Sequence, residues 1–159
     1  QMLRRRPILK YIWMDFLCLP QYSRSAGEES YFRESLANIG MLFLGLTVLC
    51  IWDMMYVSRF WTCTEIYEAL QDIDEETGRL KPSGARIIWG TVPEGEEAMA
   101  EQLMRATWQH KTVEEAVERL RMPDILVTNK RDKDEYLHTL PSIERWTSQI
   151  ADLQRMFCR

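Results

Sequence analysis

Trp61 and Glu65 stand four residues apart in a segment whose apolar members Phe60, Cys63, Ile66, Tyr67, Leu70 and Ile73 recur at helical spacing. At positions i and i+4 an indole and a carboxylate lie side by side on a helix surface. An apolar wall raises the pKa of an acid beside it, which prepares the carboxylate for proton transfer or for stabilising a developing cation. From spacing alone a glutamate on a solvated stripe with Glu68 and Asp72 is the favoured reading, and the catalytic one is the alternative. Asp15 is the second chemical signal, because it interrupts the otherwise apolar run 11–18. A buried carboxylate needs a partner. Arg59 is the expected one, making Asp15 either half of a structural ion pair or an acid that contacts a ligand. The polar loop 19–29 that follows carries Tyr22 and Arg24, and a guanidinium there suits a phosphate.

Other constellations are missing from the sequence. Cys18, Cys50, Cys63 and Cys158 form no Cys-x-x-Cys and no Cys/His cluster, so neither a zinc site nor a disulfide framework is signalled and no metal is expected. Cys18 and Cys50 lie in apolar runs, as buried free thiols of a reducing compartment do, which leads to an intracellular, cytoplasmic expectation. His110 and His138 are single histidines in charged surroundings and read as surface residues. Gly-rich phosphate loops, Gly-x-Ser-x-Gly and His-Glu-x-x-His are absent.

The elements that must position these residues alternate. A buried strand is expected over 11–18, a helix over 30–44, a strand over 46–52 and a helix over 60–74 capped by Ser58. Residues 72–84 read as an acid-rich loop. A strand over 85–92 closes at Pro93, and a helix over about 94–109 has Glu94, Glu96 and Glu97 at its positive end. Thr112 and Glu115 form a capping-box pattern for another helix that ends near Pro123. A short strand over 124–128 and helices over 131–140 and 142–157 complete the chain. Alternation of this kind implies an α/β fold of three layers, with a parallel sheet covered on both faces and ligands beyond the carboxyl ends of its strands. The expected division is an α/β domain over 1–129 and a charged helical segment over 130–159.

The composition agrees with that class. The chain has 159 residues, 46% of them apolar and 28% charged, enough for an independent core. Its net charge of −4 disfavours a nucleic-acid binder held by a basic face. Arg4, Arg5, Arg6 and Lys10 make one cationic end, read as a solvated flank or a contact to an anionic partner. Residues 35–52 are uncharged and nearly long enough to span a membrane, but a helix, a stop at Gly45 and a buried strand explain them better, and no span is expected. Starting at Gln1 without a signal-peptide pattern, the chain reads as a piece of something longer.

Tyr11, Trp13, Asp15, Cys18 and Gln21 resemble the Tyr-x-Trp-x-Asp-x-x-Cys-x-x-Gln signature of heterokaryon-incompatibility (HET) domains. Arg59, Trp61, Thr62 and Glu65 resemble that family's Arg-x-Trp-Thr-x-x-Glu motif, and residues 36–52 look like the helix and strand between them. The likeness covers about residues 8–70. It implies an architecture similar to Toll/interleukin-1 receptor (TIR) domains, a flavodoxin-like sandwich, here without its first strand, since residues 1–10 offer no counterpart. The implied function is a signalling or assembly module of the self/non-self or cell-death type that acts through self-association as a homo-oligomer or within a larger assembly. The alternative it implies is an NAD⁺ glycohydrolase. Trp61 and Glu65 then match the Trp-x-x-x-Glu of NAD⁺-cleaving TIR domains, with Glu65 engaging the nicotinamide ribose and Trp61 forming a pocket wall. Arg59 and Arg24 would lie near the phosphates of this nucleotide ligand, and loop 19–29 would gate the site. NAD⁺ would be substrate, and no cofactor is called for.

Overall fold

The computed structural model describes residues 11–74, 76–92, 94–146, 149–150 and 156. The chain divides into two compact units, Gln1–Asn38 and Ile39–Arg159.

In the first unit the strand expected over 11–18 is replaced by irregular backbone and a four-residue helix, α1 (Asp15–Cys18). Its backbone is satisfied locally. Leu17 and Cys18 donate to the Met14 carbonyl at 3.0 and 2.8 Å, and Leu19 donates to that of Asp15 at 2.9 Å. Among the described residues no strand pairs with this segment. A short apolar run has no periodicity that separates strand from helix, so its neighbours decide. The side chains Tyr11, Phe16 and Leu17 are 75%, 68% and 75% exposed, and Cys18 is exposed rather than buried. The helix expected from residue 30 begins earlier, as α2 (Ala26–Asn38). Ser25 and Glu28 provide the reason: the Ser25 N–H donates to Glu28 Oε2 at 2.8 Å, and the Glu28 N–H donates to Ser25 Oγ at 3.4 Å, a reciprocal capping box.

The second unit starts with α3 (Gly40–Gly45), which stops at Gly45 as expected and leads into β1 (Val48–Trp52). A 3₁₀ turn (Tyr56–Ser58) enters α4 (Phe60–Ala69). α4 is shorter than expected, because Gln71–Ile73 leaves the helix as β2 and pairs antiparallel with β3 (Leu80–Pro82) inside the segment read as a loop. Asp74 closes that hairpin by accepting from the N–H groups of Glu76 and Thr77 at 3.1 and 2.9 Å. β4 (Ile87–Thr91) then runs parallel to β1, in the register Val48↔Ile87 through Trp52↔Thr91. α5 (Glu97–Trp108), α6 (Val113–Arg121) and α7 (Lys130–Thr139) follow, then a kinked 3₁₀ segment, Leu140–Trp146, and Ile150 beyond it is also buried in the core. The Thr112–Glu115 capping box is formed in both directions.

The result is a mixed α/β unit with a two-stranded parallel sheet flanked by helices. The strand expected over 124–128 is reduced to a single parallel bridge between Arg59 and Leu126. Its role is local: the Leu126 carbonyl accepts from the Phe60 N–H at 2.8 Å, satisfying one of the orphan donors at the start of α4. The expected apolar stripe of α4 is the centre of the core, with Phe60, Cys63, Ile66, Tyr67 and Leu70 all 1% exposed or less. Trp108 of α5, Leu120 of α6, and Tyr136, Ile143 and Trp146 of the segment read as a separate helical tail belong to the same cluster. The uncharged stretch 35–52 is divided among α2, α3 and β1, and no helix among the described residues is long and apolar enough to cross a membrane.

Parallel sheets normally bury both faces. Here Cys50, Trp52, Trp89 and Thr91 are buried on one face of the sheet. On the other face Leu49 and Ile51 of β1 are 44% and 57% exposed, Ile88 and Gly90 of β4 are half-buried, and Val92, just past β4, is 62% exposed. The expectation of a sheet covered on both faces is therefore met on one side only among the described residues.

Candidate functional site

Helix α4 presents Trp61, Glu65 and Glu68 at i, i+4 and i+7, one face of a helix. Trp61 is half-buried and packs edge-on against Phe60 and Tyr136, with ring centroids 5.1 and 5.3 Å apart. Glu65 is half-buried beside it. The next acid on the face is not on a solvated stripe. Glu68 is 0% exposed, and its Oε1 accepts from the Tyr136 hydroxyl at 2.5 Å. Burial pushes the Glu68 carboxyl up to about 8, against the lowering effect of the Tyr136 bond, and the charge of Glu65 adds to the rise. At neutral pH Glu68 is therefore the uncharged member of a carboxyl pair.

The field of Glu65 reaches a second group as well. It raises the Tyr56 hydroxyl and the Cys50 thiol, both already raised by burial, Cys50 to about 11. Glu65 thus acts on two sets of buried neutral groups, Cys50 with Tyr56 and Glu68 with Tyr136. A carboxyl held neutral by burial beside a second carboxyl on the same helical face is an arrangement that acid–base or cation-stabilising chemistry uses.

The other expected site residues are placed differently. Arg59 forms its ion pair with Asp53 at 2.9 Å, not with Asp15, because Asp53 follows β1 directly and faces the entrance to α4. Asp15 is exposed, and its Oδ1 accepts from the neighbouring Phe16 N–H at 2.7 Å. It is neither buried nor in an apolar strand. Arg24 is held within the first unit: it pairs with Glu29 at 3.0 Å, donates to the Pro20 carbonyl at 2.8 Å and stacks 3.4 Å from the centre of the Phe32 ring. Tyr22 beside it is 99% exposed. The second unit thus holds Arg59, Trp61 and Glu65 together at the start of α4, whereas Asp15, Tyr22 and Arg24 belong to the first. His110 and His138 are both exposed, as expected.

Sequence reasoning missed three participants. Glu68 was grouped with the polar stripe, although Tyr67, Ala69 and Leu70 around it are apolar. Tyr136 and Leu137 were the available signal in α7, an adjacent pair of large apolar side chains in the charged run Lys130–Thr139. Gly40 carries no signal of its own. A Cβ there would lie 2.7 Å from Glu68 Oε1, 2.7 Å from the Tyr136 hydroxyl and 2.7 Å from Trp146 Cζ3, so only glycine lets α3 approach the pair. No family model, curated protein or solved structure matches the chain.

Proposed function

We propose that this chain is a HET/TIR-like assembly module of the self/non-self or cell-death type, acting by self-association through the face of its parallel sheet that the described residues leave partly exposed. The observation that carries this reading is the exposure of Leu49, Ile51 and Val92 on a sheet whose strands run parallel. Such a face is normally covered. A second copy is the occupant that the rim favours, since Asp53 and Arg59 offer one acid and one base beside the end of β1. Two copies related by a two-fold axis can exchange those charges across an apolar centre. The finer three-layer, flavodoxin-like arrangement belongs to the same proposal, with the partner supplying the missing layer.

The expected result is a dimer or larger species of the parent chain in sedimentation and light scattering, and a monomer for a Leu49→Lys/Ile51→Lys variant with an unchanged circular dichroism spectrum. A monomeric parent across the accessible concentration range would sink this reading.

The carboxyl pair on α4 supports a second reading, NAD⁺ cleavage. A Glu65 carboxylate can stabilise the oxocarbenium ion that develops as the nicotinamide–ribose bond breaks. Water then adds to the ribose, giving nicotinamide and ADP-ribose. Trp61 forms the wall beside it. Loss of NAD⁺ with release of nicotinamide is the expected result for the parent, with turnover falling by about a hundredfold or more in Glu65→Ala. Equal turnover in a folded Glu65→Ala chain, or none in the parent, removes the enzyme reading and leaves the assembly reading untouched.

A further inference from the structure

We propose that the Glu68 carboxyl and the Tyr136 hydroxyl form a proton-dependent latch, which holds α7 and the 3₁₀ segment Leu140–Trp146 against α3 and α4 and lets them open as the Glu68 proton is lost. The geometry is that of a closed clasp. Glu68 on α4 is 0% exposed, its Oε1 is 2.5 Å from the hydroxyl of Tyr136 on α7, and its Oε2 has no hydrogen-bond partner. Gly40 of α3 and Trp146 of the 3₁₀ segment close over the same spot, where even a Cβ would meet three neighbours at 2.7 Å. A neutral acid tolerates such a site at modest cost. A carboxylate does not, because removing its charge from water without a cation is one of the most unfavourable substitutions a core can make.

Among the described residues no cation acts on Glu68. The groups that act on Glu68 are Tyr136 and Glu65. α3 has the sequence GMLFLG and carries no titratable side chain. On the 3₁₀ segment, Arg145 lies over the Trp146 ring at 5.2 Å, and Glu144 is exposed. On α6, Arg119 is taken by Asp124 at 2.8 Å, while Glu114, Glu115, Glu118 and Arg121 are exposed. On α5, Arg105 is taken by Glu101 at 2.7 Å. On α7, Lys133 donates to the Ile125 carbonyl at 2.9 Å, Arg131 pairs with Glu135 at 2.8 Å, and Lys130, Asp134 and His138 are exposed. Asp132 of α7 and Asp72 of β2 are half-buried acids and supply no positive charge.

The sign follows from linkage. The closed state holds the Glu68 proton up to about pH 8, and the open, solvated side chain releases it near 4.5. Between those values closure is coupled to one bound proton, so the opening constant rises about tenfold per pH unit and levels off above about pH 8. Stability of the closed segment is fully present below pH 4.5 and is lost as pH rises.

Hydrogen exchange of residues 130–146 in the full chain, corrected for the intrinsic rate, tests this directly. The parent is expected to lose protection in this segment about tenfold per pH unit from pH 5 to 8 while β1 and β4 change less. Glu68→Gln is expected to remove the slope. Tyr136→Phe removes the bond that lowers the Glu68 pKa, so the slope should continue to higher pH, a shift that loss of packing alone would not produce. A flat profile in the parent, the same slope in Glu68→Gln, or an equal slope in every segment would overturn the latch.

Discussion

Replacing Gly40 by alanine is expected to destabilise the second unit by about 2 kcal/mol or more, lowering the denaturant midpoint and loosening residues 130–146 with it. Elsewhere in a helix the change is favourable, by up to about 1 kcal/mol, because alanine is the better helix former. At Gly40 the added methyl meets Glu68 Oε1, Tyr136 Oη and Trp146 Cζ3, each 2.7 Å away, on three different elements. None is the free end of an exposed chain, since Glu68, Tyr136 and Trp146 are 0%, 3% and 2% exposed. Relief requires α3 to lift from α4 or the Glu68–Tyr136 bond to break. Gly27 is the internal control: it lies in α2, and a Cβ there meets nothing within 4 Å, so alanine should be neutral or slightly stabilising. Equal midpoints for the two variants would show that Gly40 is not a close-approach position.

Arg86→Lys is expected to cost about 2 kcal/mol and Arg86→Leu about 3 kcal/mol, measured by equilibrium unfolding in guanidinium. One guanidinium spans three backbone acceptors. Nη1 donates to the Leu46 carbonyl at 2.8 Å and the Phe43 carbonyl at 3.3 Å, and Nη2 donates to the Gln71 carbonyl at 2.8 Å. The first two are at the end of α3, where carbonyls have no helical partner, and the third opens β2. Arg86 therefore ties the elements on either side of α4 at a point just before β4. A lysine keeps the charge but lacks the planar fork that meets divergent acceptors together. The cost is moderated by the half-buried position of Arg86, because water can reach carbonyls that it leaves. A Lys variant within about 0.5 kcal/mol of the parent would assign the site to charge alone.

Several features were determined by local sequence. The α4 stripe at 60, 63, 66, 67 and 70 is buried as its period requires, and β1 and β4 lie within their expected limits. The box at Thr112 forms because both partners are three residues apart in the chain. Each of these is settled by atoms within a few residues, so periodicity and capping chemistry are sufficient. Ser25 and Glu28 obey the same rule, and the start of α2 was legible in them.

Tertiary structure decided the rest. The run 11–18 contains the side chains of a buried strand, but a strand exists only where another supplies the ladder, and none among the described residues does. Arg59 had two acids to choose from by charge, and proximity after β1 selected Asp53. Glu65 and Glu68 are indistinguishable by spacing, each a glutamate on the Trp61 face of one helix. What separates them is Tyr136, 68 residues further along the chain, together with the close approach of Gly40. Burial of a carboxyl is a property of what docks on it, and no window of sequence around Glu68 contains that information.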